Sequence, residues 1–210
     1  MKEIEILEHV MSSRRSIRKY SSEPVSRDLI ERVMKAAILA PSGQNRQPWD
    51  FHILMNRSII LNLAEIVRRA CLELRESVDK DKLSFFDNYS CFFDFFRDAP
   101  AVIAVFARPY TPISQLVSGE SLSEKIVSVN DTTHIQSVSS AVTNLILAAS
   151  SLGLGTCWNT NCVLASSEIR EFLNVRMPWE FISLVSIGWP AENPSPTRRF
   201  QIEKVVHFHE

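Results

Sequence analysis

Polar and charged side chains gather at four places in this chain. The densest is Ala40-Pro41-Ser42-Gly43-Gln44-Asn45-Arg46-Gln47-Pro48-Trp49. Pro41 ends any helix that runs into it, because it lacks an N–H and its ring clashes with the preceding turn. Gly43 lets the backbone approach a flat partner closely or take positive φ. Ser42, Gln44, Asn45 and Gln47 then present donors and acceptors at the entrance of a strand. Such a corner suits a small polar heteroaromatic ligand, and an ordinary solvated loop is the other reading of it by itself. Earlier in the chain, Arg14-Arg15-Ser16-Ile17-Arg18-Lys19 sets cations around a hydroxyl. Guanidinium groups so placed can grip a phosphate through bidentate contacts, and a solvated basic turn is the alternative. Thr156-Cys157-Trp158-Asn159-Thr160-Asn161 and Arg198-Arg199 complete the set.

Several chemistries are absent from the pattern. Gly153-Leu154-Gly155 lacks a third glycine and follows a helix, whereas a dinucleotide fingerprint follows a strand. No glycine precedes Lys-Ser or Lys-Thr, and no HExxH occurs among the histidines. Ser42-Gly43 lacks the preceding Gly-x of a nucleophile elbow. Cys71, Cys91, Cys157 and Cys162 form no CxxC pair and have no histidine at zinc-finger spacing. Cys157 and Cys162 stand five apart, a spacing with no established redox mechanism. With no nucleophile, triad or metal set, any reaction falls to a bound cofactor.

The elements that must position these groups are legible from periodicity. Ile4, Leu7, Val10 and Met11 predict a helix over about 3–12. Ser26 is the expected cap of a second, with Leu29, Ile30, Val33, Met34, Ala37 and Ile38 on its apolar face. Trp49 to Met55 alternates as a strand. Ser58 opens a helix whose inner face includes Leu63, Val67 and Leu74. Ala101–Ala107 is continuously apolar, the pattern of a strand covered on both faces. Tyr110 to Asn130 reads as a loop, with room for one short helix. A mostly buried helix follows, carrying Val138, Ala141, Val142, Leu145, Ala149 and Leu152 and stopped by Gly153 and Gly155. Ser166 or Ser167 caps a short helix, Phe181–Ile187 forms a last central strand, and Ile202–Phe208 reads as a strand-like tail. Phe85, Phe86, Phe92, Phe93, Phe95 and Phe96 crowd one segment, too many for a single core face, so that some line a pocket, cover it or meet another subunit.

The totals narrow the class. The chain has 210 residues, 45% hydrophobic and 22% charged, with a net charge of −1. That is ordinary for a globular protein and gives no reason to expect nucleic acid. The charge-free run from Thr132 to Ser167 is too often interrupted by polar residues for the roughly 20 lipid-facing positions of a span, so no membrane partner is expected. Met1-Lys2-Glu3-Ile4-Glu5 carries charge where a secretory leader needs an apolar run, so a cytoplasmic location with free cysteines is expected. No linker or repeat divides residues 1–210, which read as one domain.

Taken in order, Arg-Arg-Ser-Ile-Arg, Ala-Pro-Ser-Gly-Gln-Asn-Arg-Gln-Pro-Trp, Gly-Leu-Gly-Thr-Cys-Trp and Gly-Trp-Pro leading to Arg-Arg resemble the nitroreductase family of FMN-dependent oxidoreductases over nearly the whole chain. The resemblance implies an α+β fold in three layers, a mixed central sheet flanked by helices, built as a homodimer with FMN in each interface cleft. It implies that Arg14, Arg15, Ser16 and Arg18 hold the flavin phosphate and ribityl chain, with Arg199 and its neighbour Arg198 meeting the same phosphate. Pro41, Ser42 and Gly43 match the loop packed on the other subunit's flavin, and Asn45 and Gln47 match groups at the isoalloxazine edge. Trp158, Asn159 and Thr160 match the segment whose backbone approaches N5 and the pyrimidine edge. Relatives often carry a glycine where this chain has Thr160-Asn161. The implied reaction is a ping-pong transfer from NADH or NADPH to a nitroaromatic, quinone or conjugated carbonyl or imine, with no side chain named as catalytic. The Phe-rich segment is the expected variable wall, Phe92 and Phe93 foremost. A deiodinase-like enzyme, a flavin-fragmenting enzyme and a non-catalytic flavin sensor are the competing expectations.

Overall fold

A computed structural model describes residues 2–110 and 132–210. Four strands form its sheet: β1 (Trp49–Leu54), β2 (Ala101–Ala107), β3 (Gly155–Asn159) and β4 (Glu180–Gly188), in the order β1-β2-β4-β3. Every neighbouring pair is antiparallel. The expected mixed sheet is therefore antiparallel along its named strands. Its parallel component, among the described residues, is the isolated bridge between Ser16 and Thr156.

Six helices are described: α1 (Glu3–Ser13), α2 (Arg27–Ala37), α3 (Arg57–Glu76), α4 (Leu83–Ser90), α5 (Thr133–Ser151) and α6 (Ser166–Phe172). Ser26 caps α2 as its hydroxyl accepts from Leu29 N–H at 3.3 Å. The cap of α3 is Asn56 rather than Ser58, because the Asn56 amide oxygen accepts from both the backbone and the hydroxyl of Ser58. Neither Ser166 nor Ser167 caps α6: Ser166 is its first residue, and the Ser167 hydroxyl donates to the Glu168 carboxylate.

Two cores explain the three layers. On one face of the sheet, α2 and α5 bury Ile30, Val33, Val138, Val142 and Leu145 against Ile103, Val105, Val185 and Ile187. On the other, α3 and α6 bury Ile60, Leu63, Val67 and Ile169 against Val102, Ala104, Phe106 and Leu184. Alternate residues of β2 thus feed both cores, and all seven of its residues are buried. This is the doubly covered strand its sequence predicts.

Residues 16–21 run beside the outer edge of β3 and then beside the chain that leaves β4. Ile17 N–H donates to Thr156 O at 2.9 Å, Ser21 N–H to Trp189 O at 2.9 Å, and Ala191 N–H to Lys19 O at 2.9 Å. The Glu192 carboxylate accepts from the backbone N–H groups of Arg18 and Lys19. Gly155 permits the close approach: a Cβ there would lie 2.7 Å from Cγ1 and 2.8 Å from Cβ of Ile17. The C-terminal tail departs from expectation. Ile202–Lys204 is a single 3-10 turn, not a strand, and Phe200 and Phe208 are 80% and 86% exposed. Among the described residues no strand pairs with the tail. The expected loop from Tyr110 to Asn130 lies, Tyr110 apart, outside the described residues.

Gly155→Ala should lower stability by about 1–3 kcal/mol, the usual cost of overpacking, since the added methyl meets a β-branched stem that cannot rotate away. A urea titration against the parent chain checks this. An unchanged midpoint would mean that residues 16–17 shift without loss.

Candidate active site

A groove of about 330 Å³ lies along the outer edge of β3, lined by Arg14, Ser16, Ile146, Thr156, Trp158 and Thr160. The basic segment reaches it because the Ser16–Thr156 bridge fixes residues 14–18 on that edge. Arg15 turns its Nη1 back on the carbonyls of Ser12 (2.7 Å) and Arg14 (2.8 Å), which leaves its Nε buried without a partner among the described residues. Trp158 Nε1 is buried in the same condition. Buried donors of this kind are normally satisfied. Trp158 lines the groove and Arg15 stands between its lining residues Arg14 and Ser16, so the two donors suit an acceptor-rich, negatively charged ligand there.

Other members of the two segments serve the frame. Asn159 is buried: its Nδ2 donates to Phe93 O at 2.9 Å and its Oδ1 accepts from Asn161 N–H at 3.1 Å. Its side chain is thus engaged, and only its backbone is available to a ligand. The Arg18 guanidinium lies 5.8 Å from the Phe92 ring centroid and 5.7 Å from that of Phe95, over both rings. Beneath the groove, burial pushes the Cys157 thiol up, against the opposing pull of Arg18 and a hydrogen bond to Ser16. Burial likewise raises the Tyr20 phenol, whose hydroxyl is tied to Ile17 O and Ser186 Oγ.

The Pro41–Gln47 loop stands at the other edge of the sheet, just before β1. Three of its residues that are not glycine, Gln44, Asn45 and Gln47, have φ of 54°, 53° and 48°. Left-handed backbone is uncommon for such residues and clusters at functional loops. The turn is held from within and from outside. Ser42 Oγ accepts from Gln47 N–H at 2.9 Å, Asn45 N–H donates to Ser42 O, and Gly43 N–H donates to Ser137 Oγ at 3.4 Å. Tyr110 OH donates to Gly43 O at 3.5 Å and would collide with any Cβ at that glycine. The side chains of Asn45 and Gln47 are exposed and form no hydrogen bond among the described residues. The loop is rigid in backbone and open in its amides.

Within one chain the expected site residues therefore fall into three groups. Arg14, Ser16, Trp158 and Thr160 share the β3 groove, with Arg15, Arg18 and Asn159 supporting it. Pro41, Ser42, Gly43, Asn45 and Gln47 sit at the β1 edge, with β2 and β4 between. Arg198 and Arg199 lie on the exposed tail, where Arg199 Nη1 donates to Thr197 Oγ1 and where, with Phe200, Gln201 and Lys204, they line a separate cavity. Reading the sequence missed Glu192, Ser137 and Tyr110, which brace these segments. Each lies far along the chain from what it holds, and none carries a motif.

The Phe-rich segment divides. Phe93 is 5% exposed and Phe96 fully buried in the α3–α6 core, while Phe85 and Phe92 are 74% and 51% exposed. Phe93 is thus core, not wall, because its ring packs edge-on against Tyr89 and Phe86. Tyr89 OH donates to Asn161 Oδ1 at 3.0 Å, which ties α4 to the exit of β3 beside Thr160.

An antiparallel sheet between helical layers, with an anion-suited groove on one edge and a strained polar loop on the other, defines an α+β small-ligand protein. The chain belongs to the Nitroreductase family, whose profile matches residues 11–189. It is 27% identical over 204 residues to a protein of Methanothermobacter thermautotrophicus described as an NADH dehydrogenase/NAD(P)H nitroreductase, covering 96% of this chain and 86% of that one. It is 28% identical over 194 residues to the 5,6-dimethylbenzimidazole synthase of Rhodospirillum rubrum, covering 90% and 85%. Among solved structures, a BluB-like flavoprotein from Clostridium difficile 630 superposes with a TM-score of 0.85 at 25% identity, over 97% of this chain and 99% of that one.

Two outcomes follow for single residues. Phe93→Ala should lose about 3–5 kcal/mol of stability, whereas Phe92→Ala should stay within about 1 kcal/mol, the scale of its contact with Arg18. Urea unfolding of both variants separates them. A disulfide-exchange reagent at pH 8 should modify exposed Cys91 in the native protein but reach Cys157 and Cys162 only after unfolding, since both are buried with raised thiol pKa. Rapid native modification of either would contradict this packing.

Proposed function

We propose that this chain is an FMN-dependent oxidoreductase that takes reducing equivalents from NADH or NADPH and passes them to a small electron-poor acceptor. A nitroaromatic, a quinone or a conjugated carbonyl or imine fits that description. The reading is of a single-domain, cytoplasmic homodimer with no nucleic-acid or membrane partner. The observation that carries it is the separation of the groove and the polar loop onto opposite edges of one sheet. Three strand spacings of about 4.8 Å, filled by β2 and β4, part the two edges. In this reading a single flat ligand clasped by both takes its groove from one chain and its loop from a second.

The residues present fit FMN. Arg14, Arg15 and Ser16 supply charge and hydroxyl for a phosphate and polyol, and the unpartnered Arg15 Nε gives that charge a reason to be buried. Arg198 and Arg199, on a tail with exposed apolar residues, bring further positive charge when the tail docks. Past the Ser16–Thr156 bridge no further bridge covers β3 among the described residues, so the backbone through Trp158–Thr160 faces the groove edge. Donors held there stabilise negative charge on a bound ring without reorganising. The loop of a second chain closes the other face, with Pro41, Ser42 and Gly43 in contact and the free amides of Asn45 and Gln47 at the ring edge. The chemistry such a flavin supplies when bound is two-electron exchange between a nicotinamide and an acceptor.

A second reading rests on the 0.85 superposition with the BluB-like flavoprotein and the likeness to 5,6-dimethylbenzimidazole synthase. In that reading the flavin is consumed rather than recycled. Visible spectra of the purified protein, before and after anaerobic NADH or NADPH and again after air, test both. Flavin bands that bleach and return support the reductase. Bands that bleach and are then lost in air, with release of a small aromatic product, support the synthase-like reading. Bound flavin that never bleaches would overturn both in favour of a sensor, and a colourless protein that refuses added FMN would overturn the cofactor assignment.

A further inference from the structure

A second cavity, of about 590 Å³, opens where β1, β2 and β4 meet the polar loop, lined by Arg46, Gln47, Pro48, Arg108, Pro109, Tyr110 and Trp179. Its volume is within the range of small-molecule sites, roughly 300–1,000 Å³. Two guanidinium groups and two aromatic rings share its wall. Arg46 is held in place, with its guanidinium 5.4 Å from the Tyr110 ring centroid and its Nε donating to Gln44 Oε1 at 3.2 Å. Arg108 is fixed through its backbone, whose N–H donates to Pro48 O at 2.9 Å.

Among the described residues, neither guanidinium forms an ion pair and the Arg108 side chain has no hydrogen-bond partner. The two carboxylates on adjoining strand ends are engaged elsewhere. Glu180, next to Trp179, meets His134 Nε2 at 3.3 Å, and Asp50, next to Trp49, meets His52 Nε2 at 3.3 Å. A cavity with two unneutralised forks beside indole and phenol rings fits a ligand that is both aromatic and multiply anionic.

We propose that this cavity binds the adenosine end of the reduced dinucleotide and, through Arg46 and Arg108, its 2′-phosphate, so that NADPH is preferred to NADH. The inference rests on the reductase reading of the neighbouring loop. Arg46 follows Asn45 directly, so the cavity adjoins the loop that the proposed function sets against the ring, and a dinucleotide whose nicotinamide reaches that ring can extend into it. Adenine stacks on Trp179 or Tyr110, and the phosphate accepts from the two forks. Adenosine 5′-diphosphate carries no group at the 2′ position, so it forgoes the contacts that the pair makes there.

Calorimetric titration of the purified protein with adenosine 2′,5′-diphosphate and with adenosine 5′-diphosphate tests this without turnover. The 2′,5′ compound should bind at least about tenfold tighter, and Arg108→Gln should erase most of that advantage while FMN content and melting temperature stay at parent values. The NADPH-to-NADH ratio of kcat/KM should fall by a similar factor. Equal affinity for the two diphosphates in the parent protein, or an advantage untouched by Arg108→Gln and by Arg46→Gln, would overturn the proposal. The titration of the parent needs no variant to fold. Failure of the reductase reading shows separately, as a protein that binds no flavin or never bleaches.

Discussion

The single hydrogen bond from Ile17 N–H to Thr156 O organises more of this molecule than its strength suggests. It covers the outer edge of β3 at Thr156, where the strand would otherwise present an open pairing group. It also sets the register of residues 14–18, and register decides which side chains face the groove and which face away. Arg14 and Ser16 line the groove while Ile17, next in the chain, turns the other way to be buried against Gly155. Glu192 and the Trp189 carbonyl continue the docking, so one extended segment is pinned by two separate parts of the chain. The same contact serves the sheet, the core and the candidate site.

The polar loop follows a different logic. Its left-handed residues at Gln44, Asn45 and Gln47 cost free energy that the surrounding hydrogen bonds to Ser42, Ser137 and Tyr110 offset during folding. A loop ordered beforehand loses little entropy when a ligand arrives. The basic segment is preorganised in a comparable way, since Arg15 is already folded back on the end of α1 and Arg18 is already laid over two rings. Charge and amides wait in fixed positions, so recognition here depends on matching and only weakly on ordering.

Much of this was legible in the sequence, for identifiable reasons. Periodicity found β2, α2 and α5 because burial on one or both faces leaves a strong signal. Breaker residues found the loop, and clustered arginines found the groove segment. What escaped was long-range or local in a way composition hides. Asn56 outcompeted Ser58 as a cap by two residues, and the tail at Ile202–Phe208 reads like a strand although no strand among the described residues pairs with it. Phe93 reads like its neighbour Phe92, yet one is core and the other exposed, because the turn that ends α4 aims Phe93 at Phe86 and Tyr89 and Phe92 away from the core. Glu192 as a clamp on residues 18–19 could not be seen at all, since its role exists only once the two ends of the chain meet.

The carbonyl of Phe93 accepts from both Asn159 Nδ2 and Cys162 Sγ. One acceptor shared by two donors from the exit of β3 joins the aromatic segment to the floor of the groove, and the Tyr89–Asn161 bond adds a third tie. Displacing any one of these parts strains its bonds to the others, so they form one linked unit. Any motion wide enough to admit a guest from above also loosens the backbone that would receive it, so access and grip are set by the same equilibrium.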